Sequence, residues 1–121
     1  MTKNAPFHRR MRYALSGIRH ALTHERSFRT QVAFAFGVLA VLIRLQPGWL
    51  WTATVLGMIG LVLMADLFNT ALEALSDGLH PEQAEFIRVA KDCAAGAVLV
   101  ISLAATGVGI AMLADRLPRF W

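Results

Sequence analysis

The chain has 121 residues, of which 56% are hydrophobic, and its mean hydropathy is +0.51. Such a composition is too apolar for a soluble domain of this size, so it indicates a small integral membrane protein with a single domain. The formal net charge is +4, but seven of the twelve Lys and Arg residues precede residue 30. Charge concentrated at one end indicates membrane topology, and we expect no nucleic-acid partner.

Residues 7–27 predict an amphipathic helix on the membrane surface. Apolar side chains recur at steps of three and four from Phe7 to Leu22, while Arg residues occupy much of the remaining surface. Such a helix lies in the interface with its apolar face in the bilayer. Its role as a plain anchor or as an entry point for a lipid stays open. The charged stretch before Val32 argues against a secretory signal.

Three apolar segments follow, and we assign them to transmembrane helices at residues 29–46, 49–79 and 90–115, the second with a cytoplasmic extension. A bilayer core needs about 20 helical residues, which the second and third segments supply. The first is marginal because Arg44 follows its apolar run, and a half-buried soluble helix is the alternative. The expected fold is therefore an all-α membrane protein with three spanning helices and a surface helix.

The distribution of positive charge predicts the orientation of these helices. Seven Lys and Arg residues precede the first span, whereas Arg44 alone separates the first span from the second. By the positive-inside rule the N-terminus is cytoplasmic and the C-terminus periplasmic or extracellular. Arg116 and Arg119 near the C-terminus oppose this orientation weakly.

The second span ends in a row of polar side chains. Asp66, Asn69, Glu73 and Asp77 follow one another at steps of three, four and four, so they share one helix face. Asp66 lies about 25 Å along the helix from Trp49, close to the predicted cytoplasmic edge of the hydrocarbon. A carboxylate at such a depth is a functional candidate by default, the alternative being the solvated end of a long helix.

Acidic residues gather on the predicted cytoplasmic side. Six of the eight acids lie between residues 66 and 92, and Glu25 belongs to the same side. Carboxylates near a few cations suit Mg²⁺ and, through it, a polyphosphate. The sequence contains no HExxH motif and no GxxxxGK[ST] loop, so a nucleotide would be held without a P-loop.

Four sequence elements together resemble a known family. They are a charged N-terminal helix, an ExxFR element from Glu25 to Arg29, the acid-x-x-Asn-Thr-Ala-x-Glu-x-x-x-Asp element starting at Asp66, and Ala-Lys-Asp ending at Asp92. In this order, in a three-span chain of this length, they are similar to the bacterial membrane diacylglycerol kinase family, which includes the undecaprenol kinases of Gram-positive bacteria.

The resemblance implies a homotrimer in the bacterial cytoplasmic (inner) membrane, with active sites between subunits at the cytoplasmic edge. ATP with Mg²⁺ would donate a phosphoryl group to a membrane lipid, most simply converting diacylglycerol to phosphatidic acid. Undecaprenol is an alternative acceptor. An acid-lined ion-conducting oligomer and a non-enzymatic adaptor are alternatives of another class.

The resemblance also implies roles for individual residues. Asp66, as the general base, and Asn69 would be catalytic, and both would contact the lipid together with Arg29. Glu25 and Glu73 would hold Mg²⁺. The residues expected to bind the nucleotide are Arg9, Tyr13, Glu25, Glu73, Asp77, Lys91 and Asp92.

One position departs from the family pattern. The family nearly always has Glu where this chain has Asp66, and the shorter side chain reaches about 1.5 Å less far. A displacement of about 1 Å in near-attack geometry can cost on the order of 100-fold in rate. Either the backbone has adjusted, or the acceptor differs, or activity is weak.

Overall fold

The computed structural model describes residues 6–79 and 85–120, with side chains up to Pro118. These residues form four helices, namely α1 (Phe7–His24), α2 (Arg26–Leu45), α3 (Trp49–Gly78) and α4 (Glu85–Phe120). Within the described ranges α2, α3 and α4 are each long and apolar enough to cross a membrane. The all-α fold class with three candidate membrane spans is thereby confirmed.

A sharp corner separates α1 from α2. Glu25 is the single residue between them and adopts an extended conformation, with φ −111° and ψ 109°. Ala21 and Phe28, on either side of the corner, are only 1% and 2% exposed, so burial of these two side chains fixes the angle. Residues 26 and 27, which the apolar periodicity assigned to the surface helix, form the first turn of α2.

The turn between α2 and α3 depends on two residues with positive φ. Gln46 is left-handed with φ 47°, and Gly48 has φ 104°, a value that L side chains rarely adopt. After this turn α3 runs for 30 residues, or about 45 Å, which exceeds a hydrocarbon core of about 30 Å. One end of α3 must therefore extend beyond the bilayer core.

The apolar core lies at the end of the bundle that contains this turn. Leu42, Val55 and Met112, one from each spanning helix, are buried against one another. The indole Nε1 of Trp51 donates a hydrogen bond of 2.9 Å to Asp115 Oδ2, which joins the start of α3 to the last turns of α4. We call these five residues the Trp51 end.

Much of the remaining apolar surface is exposed in a single chain. On α1, Phe7 is 74% exposed and Leu15 58% exposed, which leaves the apolar face of this helix free to enter a membrane interface. Large apolar side chains of the three long helices also point outward. Lipid tails or other copies of the chain are the environments that suit such surfaces.

Candidate active site at the acidic end

The polar face of α3 lies opposite the Trp51 end. Asp66 is only 2% exposed, Asn69 and Glu73 are half-buried, and Asp77 is exposed. We call these four residues together with Glu25 the acidic end. The side chains thus pass from enclosed to solvated along three turns of one helix, which is the gradient expected where a helix leaves the hydrocarbon.

Asp66 receives a hydrogen bond from a residue that the sequence analysis did not single out. Ser27 Oγ, in the first turn of α2, lies 3.3 Å from Asp66 Oδ2 and 3.5 Å from Oδ1. The two residues are 39 positions apart, so no spacing within one helix could predict the contact. Asp66 therefore contacts a second spanning helix and is not simply a solvated residue at the end of its own helix.

Asn69 and Glu73 form a pair one helical turn apart. Asn69 Nδ2 donates to Glu73 Oε1 at 2.8 Å, whereas Asn69 Oδ1 is buried and has no hydrogen-bond partner among the described residues. The pair offers an orphaned amide oxygen and a carboxylate on one face. Oxygen ligands of this kind suit Mg²⁺, which binds one or two carboxylates and completes its shell with water and phosphate oxygens.

Glu25 and Glu73 are the two residues expected to hold the metal. Both are half-buried, and Glu25 lies two residues before Ser27, the residue that contacts Asp66. Within residues 6–79 and 85–120, no group of three or more His, Cys, Asp or Glu side chains could hold a metal by itself. Mg²⁺ commonly binds one or two carboxylates and completes its shell with water and phosphate oxygens.

Two of the expected nucleotide ligands meet across the helices. Lys91 Nζ lies 3.5 Å from Asp77 Oδ1, which links the end of α3 to the first turns of α4. Lys91 is half-buried and Asp77 is exposed. An exposed ion pair is worth less than about 1 kcal/mol, so Lys91 can exchange this partner for a phosphate at little cost.

Asp92, another expected nucleotide ligand, is already paired. Arg88 donates to Asp92 Oδ2 at 2.9 Å and also forms an ion pair with Glu85. All three side chains are exposed on the first turns of α4. Arg88 was not among the predicted site residues, and its i,i+4 spacing from Asp92 is the signal that could have identified it. Glu82 lies outside the described residues.

Three predicted site residues do not reach the polar face of α3 within one chain. Arg9 and Tyr13 lie exposed on α1, where neither makes a side-chain hydrogen bond or ion pair with any described residue. Arg29 NH1 instead donates to the carbonyl oxygens of Leu22 and Thr23 at 3.0 and 3.1 Å. These are among the last carbonyls of α1, which a helix cannot satisfy internally, so Arg29 caps the surface helix.

An apolar cleft of about 380 Å³ runs between the three long helices. It begins one helical turn from the Ser27–Asp66 contact, because Gln31 and Val62 line it and lie four residues from Ser27 and Asp66 respectively. The remaining lining is mostly apolar and extends toward the Trp51 end as far as Val55, Val38 and Gly109. The cleft therefore runs from one helical turn beyond Asp66 toward the Trp51 end.

Comparison with known proteins identifies the family of the chain. Residues 12–113 match the family model described as prokaryotic diacylglycerol kinase. A protein of Synechocystis sp. named diacylglycerol kinase is 35% identical over 103 residues, which cover 84% of this chain and 59% of that protein. The chain thus spans less than two thirds of the length of that relative. The matched range includes every predicted site residue except Arg9, and the chain belongs to the prokaryotic diacylglycerol kinase family.

Proposed function

We propose that the chain transfers the γ-phosphoryl group of ATP to the hydroxyl of a membrane lipid in a Mg²⁺-dependent reaction. Diacylglycerol is the proposed acceptor and phosphatidic acid the product. The observation that carries the proposal is Asp66, a carboxyl group 2% exposed at the point where an apolar helix becomes polar. A lipid alcohol presents its hydroxyl at this depth while its tails remain in the hydrocarbon.

Asp66 is the proposed general base. The lipid oxygen attacks the γ-phosphorus, the bond from that phosphorus to the β–γ bridging oxygen breaks, and ADP leaves. The hydroxyl proton passes to the Asp66 carboxylate late in this displacement, because the transition state is loose and the acceptor oxygen gains acidity only as its new bond forms. Asn69, one turn along α3, would orient the acceptor oxygen through the second hydrogen of its Nδ2, because the first is donated to Glu73.

The phosphates would lie beyond Asp66, toward the solvated part of α3. Glu25 and Glu73 would hold Mg²⁺, which when bound neutralises the charge on the phosphate oxygens. Lys91 would leave Asp77 for a phosphate, since the ion pair is weak and the ammonium is a point charge that can turn. Asp77 and Asp92 would then face the nucleoside, with Arg9 and Tyr13 approaching from α1 and Arg29 near the lipid.

The apolar cleft supports a lipid as the acceptor. Its volume of about 380 Å³ and its opening one turn from Asp66 would let a hydrocarbon chain lie between the spanning helices while its hydroxyl reaches the carboxylate. An ion path, in contrast, needs acids across the whole bilayer depth. The described acids of α3 occupy one end of the helix.

We propose further that three copies assemble in the bacterial cytoplasmic membrane with each site shared between neighbours, and with the N-terminus in the cytoplasm. The exposed apolar faces of the long helices support an assembly, and the sequence resemblance supplies its number. Mixing Glu25→Gln and Glu73→Gln subunits tests the sharing. A site built from two chains recovers part of the wild-type rate in the mixture, whereas a site within one chain recovers none.

The direct test is an assay of purified protein with Mg²⁺ and ATP against diacylglycerol, undecaprenol and a simple long-chain alcohol. We expect phosphatidic acid as the fastest product. A clear preference for undecaprenol would support the alternative acceptor. Failure to phosphorylate any of the three by a folded, membrane-reconstituted oligomer would overturn the proposal in favour of an adaptor.

A further inference from the structure

Among the residues that the structure describes, Ser27 donates a hydrogen bond to the buried carboxylate of Asp66. Its Oγ lies 3.3 and 3.5 Å from the two oxygens of Asp66, so the hydroxyl is shared between them. Asp66 is 2% exposed, and a buried carboxylate without a donor is strongly destabilising. The hydroxyl of Ser27 thus compensates, in part, for the burial of Asp66.

The position of Ser27 is fixed by its neighbours. Phe28, the next residue, is 2% exposed, and Ala21, across the corner on α1, is 1% exposed. The first turn of α2 is therefore anchored against the rest of the bundle at the point where Ser27 meets α3. A hydroxyl on an anchored turn can set the orientation of a carboxylate on a neighbouring helix.

We propose that Ser27 is a positioning residue for the reaction, and that Ser27 and Asp66 form a matched pair in which the hydroxyl occupies the space a longer acid would need. This inference rests on the proposed function, in which Asp66 takes the proton of the acceptor. Asp66 is 2% exposed and Ser27 on α2 is its hydrogen-bond partner, so the extra methylene of Asp66→Glu would carry the carboxylate toward the Ser27 hydroxyl. The shorter acid is then a feature of this site and not a defect.

Both contacts are long for hydrogen bonds between a hydroxyl and a carboxylate. Ordinary O–H···O hydrogen bonds are about 2.7–2.8 Å long, and both contacts exceed this. Catalytic hydrogen bonds are often long without substrate and tighten when the reacting groups assemble. Ser27 would then hold one carboxylate oxygen while the other accepts the proton of the lipid hydroxyl.

The test compares Ser27→Ala, Ser27→Thr, Asp66→Glu and the double variant Ser27→Ala/Asp66→Glu in the diacylglycerol assay. We expect Ser27→Ala to lower kcat by about 10- to 100-fold with the KM for ATP changed less than about 2-fold, because a positioning defect slows chemistry and not nucleotide binding. Ser27→Thr keeps the hydroxyl and should retain most of the rate. Asp66→Glu should lower kcat, and removal of the Ser27 hydroxyl in the double variant should recover part of it.

Thr54→Val is the matched control. It also removes a hydroxyl from a spanning helix, but that hydroxyl donates to the carbonyl of Leu50 in its own helix, far from Asp66. Its kcat should equal that of wild type. Thermal unfolding of all variants in one detergent reports folding, and the coupling of Ser27 and Asp66 in these data tests the contact without an activity readout.

The outcomes separate this inference from the proposed function. An active wild type whose Ser27→Ala variant keeps its full kcat, or loses nucleotide affinity as much as kcat, overturns the role of Ser27 alone. An Asp66→Glu variant faster than wild type overturns the matched pair. A folded wild type that phosphorylates no lipid alcohol overturns the proposed function and the positioning role with it.

Discussion

The two ends of α3 bury different kinds of side chain. At the Trp51 end, Leu42, Val55 and Met112 form an apolar cluster joined by the Trp51–Asp115 hydrogen bond. At the other end of α3 the buried side chains are polar, and they are Asp66, Thr70 and Ser76. Apolar burial stabilises a fold, whereas enclosing a carboxyl group costs free energy. The Trp51 end of α3 is therefore packed by apolar side chains, whereas its other end encloses a carboxyl group that stability alone would not select.

This contrast has a consequence for variants. Changes at the acidic end should affect chemistry strongly and the free energy of unfolding weakly or in the opposite direction, as at sites where function opposes stability. Changes at the Trp51 end should do the reverse. Each variant below therefore requires both a rate and a thermal unfolding measurement.

Glu73→Gln should have the largest effect. The amide keeps the shape of the side chain but cannot carry the negative charge that a metal requires, so we expect phosphoryl transfer to fall on the order of 1000-fold or more. Glu73 is half-buried, so the unfolding temperature should change little. The measurement is lipid phosphorylation at saturating Mg²⁺ and ATP.

Glu85→Gln is the control for charge. Glu85 is exposed and pairs with Arg88 on the first turn of α4. It should keep most of the wild-type rate. If Glu73→Gln retained activity comparable to that of Glu85→Gln, Glu73 would have no place in the metal site.

Asp66→Asn should lower kcat by about 100-fold or more, which is the usual contribution of a general base. Nucleotide affinity should hardly change, because Asp66 acts on the acceptor. The unfolding temperature should stay level or rise, since the variant removes a buried ionisable group. Kinetics, nucleotide titration and thermal unfolding on one preparation check the three statements, and equal losses in kcat and affinity would contradict the assignment.

Much of the fold could be predicted from the sequence, because the length and hydropathy of a segment identify a candidate membrane-spanning helix. The three apolar segments predicted three long helices, and the structure has them. The predicted boundary between the surface helix and the first span lay at residue 28, whereas the structure has a corner at Glu25. It contains neither Gly nor Pro, and it forms because Ala21 and Phe28 are buried by tertiary packing, which periodicity along one helix does not encode.

In the candidate site, contacts within one helix could be predicted from the sequence and contacts between helices could not. The steps of three and four from Asp66 to Asp77 predicted a shared face, and the Asn69–Glu73 hydrogen bond is the i,i+4 contact that such spacing permits. Spacing along one helix could not predict contacts between helices, such as Ser27–Asp66 and Asp77–Lys91. The roles of Glu25, Arg9 and Tyr13 came from family resemblance and stay predictions.

Arg29→Ala should weaken ATP binding moderately by loosening the end of α1. The variant removes the donor to the carbonyls of Leu22 and Thr23, so the last turn of the surface helix should fray. Because α1 carries Arg9 and Tyr13, we expect the KM for ATP to rise by about 3- to 10-fold, about 1 kcal/mol of binding. Hydrogen exchange of α1 amides measures the fraying directly.

Arg26→Ala controls for the loss of a cation. Arg26 is exposed in the same turn of α2, and its side chain makes no hydrogen bond or ion pair within the described part of the chain. It should leave both α1 exchange and the KM for ATP near wild type. Equal effects of the two variants would assign Arg29 to charge attraction and not to the cap.

Trp51→Phe, at the opposite end of the bundle from Asp66, should have the smallest effect on the reaction. It keeps a large ring but removes the Nε1 donor that lies 2.9 Å from Asp115, so the free energy of unfolding should fall by about 1 kcal/mol. Trp49→Phe, at a ring 77% exposed, should change neither quantity. Asp66, the first residue of the acidic end on α3, lies eleven residues from Val55 of the apolar cluster, so kcat should be unaffected. A large loss would mean that the two ends are mechanically coupled through α3.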